Sequence, residues 1–129
     1  MIKVGLLGAG RIAGVHATAI SSHPGSELAA VSDYFPEAAQ KLASQYGTVA
    51  RTTEEIIADD SIDAVCIGTW PYMHRTLTVA ALESGKHVLC QARMANTAQE
   101  ARDMLAASLR HPELISQLVP TSQTYRIDN

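Results

Sequence analysis

The chain has 129 residues, 47% of them hydrophobic and 18% charged, with 10 basic and 13 acidic side chains for a formal net charge of −3. That length predicts one domain with a sound core and leaves no room for a two-domain enzyme of ordinary size. Mild acidity without a basic run argues against nucleic acid or anionic membrane as partners; no apolar run is long enough to span a bilayer, and two cysteines make no disulfide framework.

The opening MIKVGLLG enters a strand directly, without a charged leader, so the expectation is a cytoplasmic protein with reduced thiols. Ile2–Leu7 is a nearly continuous apolar run ending at Gly8, which predicts a strand buried on both faces, as in a parallel sheet. Arg11–Ser22 carries Ile12, Val15, His16, Ala19 and Ile20 at helical spacing, and His23-Pro24-Gly25 stops it. Glu27–Ser32 predicts the second strand, and Pro36 opens a helix that runs to about Tyr46 before Gly47. Thr48–Arg51 predicts a brief third strand, and Thr53 the N-cap of a short helix with Glu54 and Glu55 in its first turn.

Asp63–Gly68 is the next strong apolar run, followed by a helix from about Tyr72 to Ser84 that Gly85 ends. Lys86–Cys90 predicts another strand. Thr97 caps a helix to about Arg110, with Glu100 at the capping-box position, and Leu114–Val119 is a last strand. Alternation of this kind predicts an α/β, doubly wound, Rossmann-type parallel sheet over residues 1–119. The polar tail Pro120–Asn129 has no clear period.

The first strand runs into Gly8-Ala9-Gly10-Arg11-Ile12-Ala13, a G-x-G-x-x-A turn. Gly8 permits the tight exit from the strand, Gly10 carries no Cβ to hold a pyrophosphate off the backbone, and Ala13 lets helix and strand pack closely. The helix that opens here directs unpaired N–H groups at an anion. Asp33, at the end of the second strand, stands where an acid accepts hydrogen bonds from an adenosine ribose diol. Its charge repels a 2′-phosphate, and Tyr34 and Phe35 rather than a cation follow it, so NAD is expected over NADP.

Two later segments, VCIGTWPYMH over 65–74 and GKHVLCQARMA over 85–95, join the glycine turn in a wider pattern. Together the three make the chain resemble the N-terminal domain of the glucose–fructose oxidoreductase/inositol dehydrogenase (Gfo/Idh/MocA) family. The resemblance implies that Thr69, Trp70 and His74 lie beside the cofactor, with Trp70-Pro71 in place of the usual Pro-Asn. His74 could equally make a structural hydrogen bond at a helix start, and Trp70 could anchor a domain interface. It also places Gln91-Ala92-Arg93 on the family's Glu-Lys-Pro. Gln91 can still bond a ribose hydroxyl, but Ala92 cannot take the Lys role. Arg93, with a pKa above about 12, is a poor proton shuttle yet suits a carboxylate or phosphate.

The expected function is therefore the NAD(H)-binding half of an oxidoreductase acting on a sugar, polyol or similar small-molecule substrate. Gly8, Gly10, Arg11 and Ile12 would hold the pyrophosphate, Asp33 the ribose, and Thr69, Trp70 and Gln91 the nicotinamide. The family's second, substrate-binding domain is expected to be absent and the isolated chain inactive, with no evident proton-transfer residue. The alternatives are a binding module without turnover, or an interaction protein forming a homo-oligomer through a bare face around Trp70. The five His residues are scattered and share no metal-ligand spacing with either Cys.

Overall fold

A computed structural model describes residues 1–120; the expected tail therefore lies, from Thr121 on, outside the described residues. The strands are β1 (Ile2–Leu7), β2 (Ser26–Ser32), β3 (Ala64–Ile67), β4 (His87–Cys90) and β5 (Ser116–Leu118). The helices are α1 (Ala13–Ser22), α2 (Pro36–Gln45), α3 (Thr53–Ala58), α4 (His74–Glu83) and α5 (Ala98–Arg110). All five strands are parallel in the order β2-β1-β3-β4-β5. Parallel neighbours need crossovers, and the helices supply them on both faces, which is the doubly wound architecture the alternation predicts.

Strand alternation divides the core in two. Leu7, Val65, Ile67, Val88 and Cys90 face α4 and α5, meeting Leu77, Ala81, Leu82, Met104 and Ala107. Leu6, Val31 and Cys66 point the other way, toward Ala13 and Ala17 of α1 and Ala39 and Leu42 of α2. The two cysteines are thus buried on opposite faces of the sheet and cannot pair. Burial pushes the Cys66 thiol up to about 12 and the Cys90 thiol up to about 11.

Several local expectations are corrected. Thr48–Arg51 forms no strand, only a bridge between Val31 and Ala50. Thr48 N–H is held by the Ala43 carbonyl and Thr52 is committed to the next helix, so only the middle of the segment can reach β2. The cap of α3 is Thr52 rather than Thr53: its hydroxyl accepts from Glu55 N at 3.1 Å, and Glu55 returns a carboxylate to Thr52 N at 2.8 Å. Helix α1 starts at Ala13 rather than Arg11, because Ala13 N–H closes a turn on the Gly10 carbonyl at 3.1 Å. The helix expected from Tyr72 begins as a 3-10 turn, Pro71–Met73, and becomes α-helical at His74. Strand β5 is three residues, all exposed. Thr97 caps α5 as expected, accepting from Glu100 N at 3.1 Å.

Lys86, ahead of β4, is buried, and its ammonium donates to the carbonyls of Asp59 at 2.6 Å and Ile62 at 2.9 Å. It ties the approach to β3 down from beneath. The Ala92–Arg93 peptide is cis. Among the described residues, no helix is long and apolar enough to cross a membrane.

Candidate functional site

The chain leaves β1 toward β2 on one side and reaches β3 on the other, so the carboxyl ends of β1 and β3 open a crevice at the point where the winding reverses. Gly8 and Gly68 form its floor. Gly8 has φ +107°, and a Cβ there would lie 2.8 Å from the Gly68 carbonyl carbon and oxygen, so the close approach of two strand ends requires glycine.

Gly10 is different. A Cβ on it would meet nothing within 4 Å, and its φ is not positive, so the folded chain itself gives no reason for glycine here. The turn therefore has room for a ligand to approach the backbone at this position. Among the described residues, the N–H groups of Gly10, Arg11 and Ile12 find no acceptor within the chain, and they sit ahead of the first turn of α1. Open space beside free N–H donors at a helix start fits a pyrophosphate.

Asp33 stands at the end of β2. One carboxylate oxygen accepts the N–H of Ala9 at 2.7 Å and the other accepts the N–H of Phe35 at 2.8 Å. Those two bonds orient the carboxylate and use about half of its four acceptor positions, so room remains for both hydroxyls of a ribose diol. The crevice encloses about 510 Å³. At the Asp33 end lie Tyr34 and Phe35, edge to face with centroids 5.1 Å apart; at the other end Trp70 stacks on Tyr72 at 5.9 Å, both more than half exposed.

Gly8, Gly10, Arg11, Ile12, Asp33, Thr69 and Trp70, all expected from the sequence, line this one crevice. His74 and Gln91 are not on its lining. His74 is fully buried behind the rim, with Nδ1 2.7 Å from the Arg93 carbonyl and Nε2 3.0 Å from the Thr69 carbonyl. Gln91 is half-buried and its side-chain oxygen lies 2.8 Å from His16 Nε2, so α1 holds it. Arg93 is exposed, and neither it nor Arg11 takes part in an ion pair among the described residues.

The lining also includes residues the sequence reading did not assign to the site: Tyr34, Phe35, Thr53 and Met73. The first two carried a signal, since they directly follow Asp33. Thr53 and Met73 arrive from α3 and from the turn before α4, and only tertiary structure brings them in. Among the described residues, no group of three or more His, Cys, Asp or Glu side chains is placed to hold a metal.

Comparison with known proteins agrees with this geometry. A family model described as an oxidoreductase family with an NAD-binding Rossmann fold matches residues 2–117. The inositol 2-dehydrogenase of Rhizobium meliloti (strain 1021) is 43% identical over 90 residues, covering 70% of this chain and 27% of that protein. The 1,5-anhydro-D-fructose reductase of Ensifer adhaerens is 34% identical over 110 residues, 84% of this chain and 33% of its own length. The fold also matches the crystal structure of scyllo-inositol dehydrogenase from Lactobacillus casei with bound NAD(H) and scyllo-inositol. That match has a TM-score of 0.84 and 26% identity, covering 92% of this chain and 36% of the other. The chain thus spans about a third of the length of these relatives.

Proposed function

Since the chain belongs to the Gfo/Idh/MocA oxidoreductase family, as an NAD-binding Rossmann domain over residues 2–117, we propose that it is the cofactor half of an enzyme that moves a hydride to or from a hydroxyl compound of the sugar or polyol class. The observation that carries this reading is the pairing of Gly10, a glycine the bare fold does not need, with an Asp33 carboxylate already aimed by Ala9. The bound dinucleotide supplies the hydride chemistry. The N–H groups of Gly10, Arg11 and Ile12 take the pyrophosphate, and Asp33 takes the adenosine ribose and disfavours a 2′-phosphate. Thr69 and Trp70 border the nicotinamide, while His74 and Gln91 support that rim from behind.

A second reading has its own support. The turn after β4 presents Gln91, Ala92 and Arg93, and both ring nitrogens of His74 are already against carbonyls. None of these is a free proton-transfer group, so the chain alone would bind NAD(H) without turning substrate over. One experiment addresses both readings. Titration with NADH, followed through Trp70 emission, should give saturable binding that is tighter than for NADPH, and NAD reduction is then assayed with a panel of cyclitols and sugars. Binding with turnover supports the enzyme, binding alone supports the module, and no binding defeats both.

A further inference from the structure

Thr78 lies in the middle of α4 and is only 4% exposed, yet its hydroxyl finds no hydrogen-bond partner. Among the described residues, no other buried side-chain nitrogen or oxygen is left so. The hydroxyl does not take the carbonyl one turn back, a common partner for a threonine inside a helix. Its polar neighbour is the Cys90 thiol, whose sulfur is a weak acceptor. A buried hydroxyl without a partner is costly, and one supplied from outside the chain would relieve it.

The same residue lines a cavity of about 370 Å³ between α4, α5 and the β4–β5 side of the sheet. Thr78, Val88, Cys90 and Met104 are buried and form its inner end, while Leu105 and Ser116 are exposed and form its mouth. It shares no lining residue with the dinucleotide crevice. Among the described residues no charged side chain lines it, so an ion that entered would lose water without meeting a counter-charge. The volume falls within the range of small-molecule sites, and the thioethers of Met94 and Met104 adapt readily to the shape of an apolar body. We propose that this cavity is a second binding site, for a neutral, compact, largely apolar molecule whose single carbonyl or hydroxyl head partners the Thr78 hydroxyl.

The methionines supply the readout. Met94 and Met104 line the cavity, whereas Met73 lines the dinucleotide crevice. The chain, isotopically labelled at its methionine methyls, is titrated with three probes of one shape: benzylacetone, butylbenzene, which lacks the oxygen, and hydrocinnamate, which carries a charge in its place. Benzylacetone should move the Met94 and Met104 methyl resonances and leave Met73 in place. It should bind about fivefold tighter than butylbenzene, the share of one neutral hydrogen bond, and about tenfold or more tighter than hydrocinnamate. Thr78→Val should remove the preference for the ketone over butylbenzene without lowering Tm, because the hydroxyl has no partner in the fold to lose. Thr78→Ser, which keeps the hydroxyl, should retain the preference. No shift at Met94 and Met104 with any probe, a shift at Met73 in their place, or equal binding of benzylacetone and either analogue overturns the proposal. So does a Tm drop of several degrees in Thr78→Val, which would show that the hydroxyl is already satisfied within the chain.

Discussion

Ala9 donates its backbone N–H to Asp33 across 2.7 Å, so the residue between the two glycines of the turn aims the acid at the end of the next strand. The charge of Asp33 therefore acts on the turn as well as on a ribose. Asp33→Asn keeps the shape but puts an amide where Ala9 and a diol both need an acceptor. NADH affinity is expected to fall roughly 10–100-fold. Discrimination against NADPH should shrink with it, because the repelling charge is gone. Fluorescence titration with both cofactors checks this.

The glycines of the turn answer to different constraints, and alanine separates them. Gly8→Ala forces a side chain onto φ +107° and into the Gly68 backbone, and a loss of about 1–3 kcal/mol or more is expected, a Tm drop of roughly 5–15 °C. Gly10→Ala meets open space and should leave Tm within a degree or two while removing most NADH binding. Differential scanning fluorimetry with and without NADH distinguishes the two. Equal loss of Tm in both variants would contradict the assignment of Gly10 to the ligand.

Replacing His74 tests the rim. His74→Ala removes the imidazole set between the Thr69 and Arg93 carbonyls and leaves a hole in a fully buried site. About 2–4 kcal/mol of stability should be lost. NADH affinity should fall less than in the Asp33 variant, because His74 stands behind the crevice. Urea unfolding and NADH titration of the same variant give both numbers.

The thiols set the alkaline limit. Cys66 and Cys90 are raised from an ordinary 9.0 to about 12 and about 11 by burial. Above pH 9 the unfolded chain releases these protons while the folded chain retains them, so their contribution is intact below pH 9 and is lost as pH climbs through 11 and 12. Unfolding midpoints should decline over that window, less steeply in Cys66→Ala. At pH 8 neither thiol should react with a disulfide reagent until denaturant is added.

At the acid end, ordinary surface carboxylates take over. Asp59 is held well below its usual range by the Ser61 hydroxyl and then by Arg51; Glu83 is lowered by Arg110 and His111, and Asp103 by Gln99 and Arg75. Their contribution is present above the unfolded values, 3.8 for Asp and 4.5 for Glu, and is lost as pH falls below them. Stability should therefore be flat around neutrality and begin to fall below about pH 4.5. Thermal melts across pH 3–6 check the onset.

The parallel sheet and its order of helices were legible because β1, β3 and β4 are mostly apolar along their length and the crossovers carry helical spacing. The glycine turn and Asp33 were legible as a candidate dinucleotide site for a related reason: such a site asks for glycines and an acid at set distances along a single βαβ unit. Side-chain partners across the fold were not. Nothing local in KHVLC shows that Lys86 turns inward to two carbonyls, and nothing near His74 reveals that its Nδ1 lies against the Arg93 carbonyl, 19 residues on. Thr52 and Thr53 are equal as caps in composition; the Glu three residues after Thr52 decides between them.

His74 is the first residue of α4, and the two carbonyls it fastens lie before that helix and after β4. The cofactor rim therefore cannot be assembled while β3, α4 and β4 are still finding one another. The glycine turn and Asp33 belong to the first βαβ unit alone, whereas the edge around His74 draws on three later elements.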